Sequence, residues 1–144
     1  MEYYCKYQER CHDEVYQKLF TYETSENEKN EIIVYLIEND CLNEERFVMI
    51  YAISKFHQKK WGKIRISQEL KLKKISSYLI KKAIESLPKI EYETTFHSLA
   101  EKHWFTITEK NSLKKRKKYC DFLLRKGWES NLVYAKAIEM EQES

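Results

Sequence analysis

Two stretches decide the fold: Leu70-Lys71-Leu72-Lys73-Lys74-Ile75-Ser76-Ser77-Tyr78-Leu79-Ile80 and Leu123-Leu124-Arg125-Lys126-Gly127-Trp128-Glu129-Ser130-Asn131-Leu132-Val133. In each, a leucine ends an amphipathic run, a bulky apolar residue follows five positions later, and an apolar pair opens the next run. The offset between the two is 53 residues throughout. A weaker third copy starts at Leu19 and reaches Ile32-Ile33 only with four extra residues in its turn. Each copy follows at least one further amphipathic segment. This spacing predicts tandem helical units, each too small to bury its apolar face alone and therefore stacked on its neighbours.

Working outward, the apolar residues recur at helical spacing almost everywhere. Cys11, Val15 and Leu19 continue a stripe begun at Tyr7, which predicts a first amphipathic segment over 7–20. Thr24 to Asn27 reads as a turn and cap, Ile32, Ile33, Leu36 and Ile37 as the face of a second helix, and Asn39-Asp40 as its end. Asn43 is an N-cap followed by acids, so a third helix carries Phe47, Ile50 and Tyr51 and ends or breaks at Gly62. A basic helix follows from Ile64 to about Lys73. Ser76 or Ser77 caps another, which Pro88 stops. Tyr92 to Trp104 forms the next helix, Thr108-Glu109 opens a long basic one, and Gly127 occupies the C′ position after it. Glu129 or Ser130 starts the last. The fold class is all-α: three tandem three-helix repeats, approximately 3–42, 43–90 and 91–140, forming an elongated, curved, right-handed solenoid-like body.

The composition supports this. The chain has 144 residues with only 2 Gly and 1 Pro, far below the usual share for hairpin-rich or collagen-like chains. Mean hydropathy is −0.73, no apolar run approaches the ~18 residues of a membrane span, and Met1-Glu2-Tyr3-Tyr4 lacks the basic and apolar regions of a secretory signal. The expectation is a monomer in the cytoplasm, with no membrane contact. Cys5, Cys11, Cys41 and Cys120 form no C-x-x-C pair, and His12, His57, His97 and His103 are scattered, so the cysteines read as reduced thiols rather than metal ligands or nucleophiles. There is no phosphate-cradling glycine loop and no nucleophile elbow. Glu44-Glu45 are adjacent on a helix, point apart, and read as first-turn acids. No catalytic residue, metal or cofactor is expected.

Charge carries the functional signal. Residues 1–54 have a net charge of −7, residues 55–126 of +13 and residues 127–144 of −3. A middle that positive attracts phosphate or an acidic protein surface. Its other reading is a solvated face whose lysines pair with the acidic N-terminal segment. The candidate binding residues are Lys55, Lys59, Lys60, Trp61, Lys63, Arg65, Lys71, Lys73 and Lys74, with a second cluster at Lys114, Lys115, Arg116, Lys117 and Lys118. Trp61 could stack on a base or a partner side chain, or wedge between two units as core. Trp104 and Trp128 read as core between units.

With these residues in hand, the chain resembles the RecX family of bacterial recombination regulators from about Tyr7 to Glu139. The likeness lies in Asn43-Glu44-Glu45-Arg46-Phe47, then Lys60-Trp61-Gly62-Lys63-Ile64-Arg65-Ile66, then Glu69-Leu70-Lys71-Leu72-Lys73-Lys74-Ile75, and finally Leu123-Leu124-Arg125-Lys126-Gly127-Trp128-Glu129. The chain departs from the family pattern at Lys74, where the middle repeat has a glycine, and in its acidic first repeat with Cys11-His12-Asp13-Glu14. The resemblance implies three tandem three-helix repeats. It also implies a non-enzymatic regulator that binds along the RecA–DNA filament, inhibits ATP hydrolysis and strand exchange, and so acts in DNA repair, homologous recombination and the SOS response. The competing class is a free-standing helical module that binds single- or double-stranded DNA without a recombinase partner.

Overall fold

The computed structural model describes residues 1–143. Among these the chain forms nine helices: α1 (Glu2–Tyr7), α2 (His12–Leu19), α3 (Glu26–Glu38), α4 (Glu44–Lys59), α5 (Lys63–Leu72), α6 (Ser77–Glu85), α7 (Lys89–Thr106), α8 (Ser112–Arg125) and α9 (Ser130–Glu143). They pack in successive triplets, α4 with α5 and α6, α7 with α8 and α9, and α2 with α3. The architecture is the expected row of three-helix units.

Local chemistry sets most helix ends. Ser25, Asn43, Ser76 and Asn111 each accept a hydrogen bond from a backbone N–H in the first turn, which satisfies a donor the helix leaves open. Pro88 both ends α6 and serves as N-cap of α7, because its missing N–H is no loss there. The predicted segment over 7–20 is divided. Residues 8–11 leave the helical path between α1 and α2, and Tyr7 lies 72% exposed while Cys11, Val15 and Leu19 are buried. The periodicity therefore held only within α2. Similarly α8 opens at Ser112 rather than at Thr108-Glu109, since Asn111 takes the cap and Glu109 accepts from its N–H at 3.1 Å.

The repeated signature has a backbone cause. After α5, Ile75 N–H donates to Leu70 O at 3.2 Å and Lys74 N–H to Lys71 O at 3.0 Å; after α8, Trp128 donates to Leu123 O at 3.2 Å and Gly127 to Leu124 O at 3.0 Å. Both are Schellman ends, which need a left-handed residue at C′ and pack the C″ residue onto the helix. Lys74 has φ 60° and Gly127 φ 94°. Ile75 and Trp128 are the C″ residues, and both are buried. Lys74 thus stands where the third triplet has Gly127, in the conformation that favours glycine.

The second and third triplets share one apolar core. Trp128 sits fully buried at its centre, with ring centroids 4.7 Å from Tyr92, 5.3 Å from Phe96 and 6.5 Å from Phe56. It is core between units, as expected. Trp104 is buried edge-on against Tyr119 of α8. The first triplet has its own small cluster of Cys5, Val15, Leu19, Leu36 and Leu42, and only Cys11 enters the main core.

Two glycines let the triplets meet. Gly62 N–H donates to Lys126 O at 2.9 Å and Ile64 N–H to Gly127 O at 3.0 Å, so the carbonyl end of α8 caps the amide end of α5. A Cβ on Gly62 would lie 2.4 Å from Gly127 O, and one on Gly127 would lie 2.4 Å from the Arg65 backbone nitrogen. Gly127→Ala is expected to cost several kcal/mol, about 3 or more, because strain at positive φ adds to a backbone clash. Lys74→Gly is expected to stabilise by up to about 1 kcal/mol by relieving the left-handed strain. The ion pair of Lys74 with Asp13 is 71% exposed on the lysine side and offsets little of that gain. Urea titration of both variants checks the opposite signs.

Candidate functional site

The helical geometry sorts the predicted basic residues into distinct places. Trp61, just before α5, and Arg65, one turn into it, share a side of that helix. The Arg65 guanidinium lies 4.5 Å from the Trp61 ring centroid, and Lys55 Nζ of α4 lies 5.5 Å from the same ring. Lys55 and Lys73 also approach the Tyr51 ring, at 5.5 and 5.7 Å. Trp61, Lys55, Tyr51 and Lys73 line a groove of about 510 Å³ between the first and second triplets, whose other walls include Glu9, Glu14, Glu69 and Phe47. Trp61 is half-buried at the groove edge, packed on the core along one side and carrying cations on its ring. Burial pushes the Tyr51 phenol up to about 12, so it stays a neutral aromatic floor.

Lys59 and Lys60 stand exposed at the turn between α4 and α5, and neither has a carboxylate partner among the described residues. Lys60 is in the left-handed conformation with φ 58°, which ends α4. Lys126, absent from the predicted set, joins them by donating to Lys59 O at 2.9 Å. Lys63 is half-buried with Nζ 4.6 Å from the Tyr92 ring, and its backbone N–H donates to the Tyr92 hydroxyl at 2.9 Å. Arg65 donates to Arg125 O at 3.1 Å. Lys63 and Arg65 therefore belong to the junction between triplets as much as to the surface. Tyr92 also donates to Glu129, and burial, reinforced by that acceptor, holds its phenol well above the ordinary range. Lys71 faces solvent on α5, apart from the groove.

Other predicted cations serve as mortar. Lys73 Nζ pairs with Glu14 at 3.0 Å and Lys74 Nζ with Asp13 at 3.5 Å. Here the reading of lysines paired with the acidic N-terminal segment applies. On α8, Arg116 pairs with Glu141, Lys117 with Asp121 at 2.7 Å and Lys118 with Glu109 at 3.4 Å. Lys115 lies over Trp104 at 4.0 Å, and Lys114 is exposed. This second cluster is remote from the first: Lys114 precedes the Arg125 end of α8 by three helical turns, about 16 Å.

The seam between the first and second triplets is largely polar, and sequence reading missed its centre, Arg46. That side chain donates to Glu9 at 2.5 Å, to Asp40 Oδ1 at 3.2 Å and to Asp40 O at 3.0 Å. Only its place in the family-like Asn43–Phe47 stretch marked it. Among the described residues no three His, Cys, Asp or Glu side chains gather as metal ligands. Burial pushes the Cys11 thiol up to about 11 and raises those of Cys5 and Cys120, which keeps them protonated and unreactive.

Comparison with known proteins follows the same division. Family models for the second and third RecX three-helix domains match residues 43–84 and 91–136. The chain belongs to the RecX family. Regulatory protein RecX of Bacillus cytotoxicus (strain DSM 22905 / CIP 110041 / 391-98 / NVH 391-98) is 24% identical over 140 residues, which are 97% of this chain and 52% of that protein. The chain therefore spans about half the length of the curated relative it matches. Two solved RecX structures share the fold. One, a crystal structure of regulatory protein RecX, has a TM-score of 0.82 at 21% identity and covers 94% of this chain and 66% of its own. The other, RecX from Lactobacillus salivarius, has a TM-score of 0.80 at 24% identity and covers 96% and 90%. This RecX chain has no helix long and apolar enough to cross a membrane among its described residues.

The polar seam leads to a prediction. Arg46→Met removes three charge-assisted contacts, leaving Cys11, the His12–Glu44 contact and the lysine pairs to hold the first triplet. Charge-assisted hydrogen bonds of this kind are worth about 1 kcal/mol or more when partly buried. Amide exchange in α2 and α3 should then quicken about fivefold or more, increasingly so in high salt, with α4–α9 protection unchanged. Uniform loss of protection along the chain would contradict a separable first triplet.

Proposed function

We propose that this RecX chain regulates the RecA recombinase by lying along the RecA–DNA filament and blocking ATP hydrolysis and strand exchange, in DNA repair, recombination and the SOS response. A row of three-helix units, with repeats taken as 3–42, 43–90 and 91–140, offers an extended surface that can span neighbouring filament subunits. The observation that carries the reading is the cationic turn of Lys59, Lys60 and Lys126, beside the aromatic groove of Trp61, Tyr51 and Lys55. Lys59 and Lys60 have no carboxylate partner among the described residues, so their charges remain available to phosphate or to acidic protein. The mechanism is occlusion: a body that bridges subunits holds them against the motion that ATP turnover needs. No group in it performs covalent chemistry, and it acts as a cytoplasmic monomer without a cofactor.

Within this reading Lys73, Lys74, Arg116, Lys117 and Lys118 contribute little to contact or to field, because each is already paired with a carboxylate. Lys71 and Lys114 remain as outlying contacts. Lys63 and Arg65 are poor sites for a charge-reversal test, since both hold the junction between triplets. The informative variant is Lys59→Glu with Lys60→Glu. The unaltered protein should inhibit single-strand-stimulated RecA ATPase at stoichiometric amounts. The double variant should need about tenfold more protein, and inhibition should weaken steeply with salt. Unchanged ATPase in the presence of the unaltered protein would refute the regulator reading.

A further inference from the structure

The first triplet, acidic overall, carries a surface of the opposite character. Tyr3 and Tyr7 lie one turn apart on α1, 79% and 72% exposed, with ring centroids 6.5 Å apart and planes inclined by 35°. Tyr22, beyond the end of α2, is 55% exposed, and with Tyr4 these rings line a groove of about 420 Å³ together with Arg10 and Lys18. The Arg10 guanidinium lies 3.8 Å over the Tyr4 ring and Lys18 Nζ 5.7 Å from it. Arg10 Nε donates to Tyr4 O at 3.2 Å, while its terminal nitrogens have no acceptor among the described residues. Neither cation has a carboxylate partner there.

This platform is held in place, so its shape is defined. Cys5 of α1 is buried in the first triplet's core, and Tyr35 of α3 donates to Glu2 at 2.6 Å. Of the nearby acids, Glu9 is paired with Arg46, Glu2 keeps its charge while accepting from Tyr35, and Glu23 beside Tyr22 in sequence is exposed, so what the site offers is two cations placed against the rings rather than a net positive charge. Core packing does not need the exposed rings.

We propose that the tyrosine face of α1, with Arg10 and Lys18, binds single-stranded nucleic acid. The exposed rings lining this groove are all tyrosines, and its one aliphatic lining residue, Met1, is partly buried, which falls short of the row of apolar anchors a docking helix requires. Exposed π-faces beside unpaired cations match the requirements of unpaired bases and their phosphates. A duplex hides its base faces and offers such rings nothing to stack on. The inference does not depend on the recombinase reading, which concerns the second and third triplets.

The test is fluorescence anisotropy of a labelled oligothymidylate at low salt, with no recombinase present, using the whole chain. Tyr3→Ala with Tyr7→Ala should weaken binding at least about tenfold, since base–aromatic stacking is worth roughly a factor of ten or more per ring. Tyr3→Phe with Tyr7→Phe should bind within about twofold of the unaltered protein, because the ring rather than the hydroxyl stacks. Both pairs are exposed, and unchanged circular dichroism and urea midpoints show that they fold. The proposal is overturned if the alanine pair binds as the unaltered protein does. It is equally overturned if the unaltered protein does not bind, or if polyglutamate displaces the strand as well as unlabelled oligothymidylate does, which marks a surface that reads charge alone. If RecA ATPase inhibition fails while this binding persists, the recombinase reading falls and this site stands.

Discussion

The contact of Gly62 with Gly127 is the constraint on which the second and third triplets depend. Two backbones approach so closely that neither position accepts a Cβ. The approach lets the last carbonyls of α8 accept the first amides of α5. Helix ends that would otherwise need water or side-chain caps satisfy one another, and the two macrodipoles run head to tail. The same approach seats Trp128, the residue after Gly127, among Phe56, Tyr92 and Phe96. One backbone contact therefore sets a polar joint and an apolar one together.

The first triplet is joined by different chemistry. At the corresponding place, the N-terminus of α2 meets the C-terminal end of α5 through Asp13, Glu14, Lys73 and Lys74 rather than through glycines. Acids at a helix start and cations at a helix end favour the same head-to-tail alignment. They do so through partly buried side chains, Lys74 alone being exposed, with a small separate core beneath. The chain thus combines a pair of triplets that share one apolar core with a third attached largely through charged side chains. That difference follows from Lys74 standing where the third triplet has Gly127: a lysine at the left-handed position cannot allow backbone contact, but it can reach an acid.

This division changes how the positive charge of the middle segment is understood. Of the cations that make it +13, several hold the fold against itself, and Lys59 and Lys60 at the α4–α5 turn face outward with no carboxylate partner among the described residues. Counting lysines overstates the field available to a partner. The acidic segment before it, in turn, hides a tyrosine face whose two cations have no carboxylate partner among the described residues.

The helical class, the tandem units and the family were legible in the sequence because each rests on local rules. Apolar residues repeat at 3.6, caps are Ser and Asn, and a Schellman end requires a left-handed C′ residue followed by a buried C″ residue. The 53-residue offset is the trace of that last requirement in Leu70 to Ile80 and Leu123 to Val133. The break between α1 and α2 was not legible, because Tyr7 keeps the periodicity while the backbone leaves it. Nor were the partners of the cations, since Lys73 with Glu14 and Arg46 with Glu9 join residues 59 and 37 positions apart. Sequence by itself determined the helices from α3 onward and most of their ends, because those rest on interactions within a few residues. Only the tertiary structure decided which charges are consumed and which aromatic faces stay open, because pairing and burial depend on which helices meet.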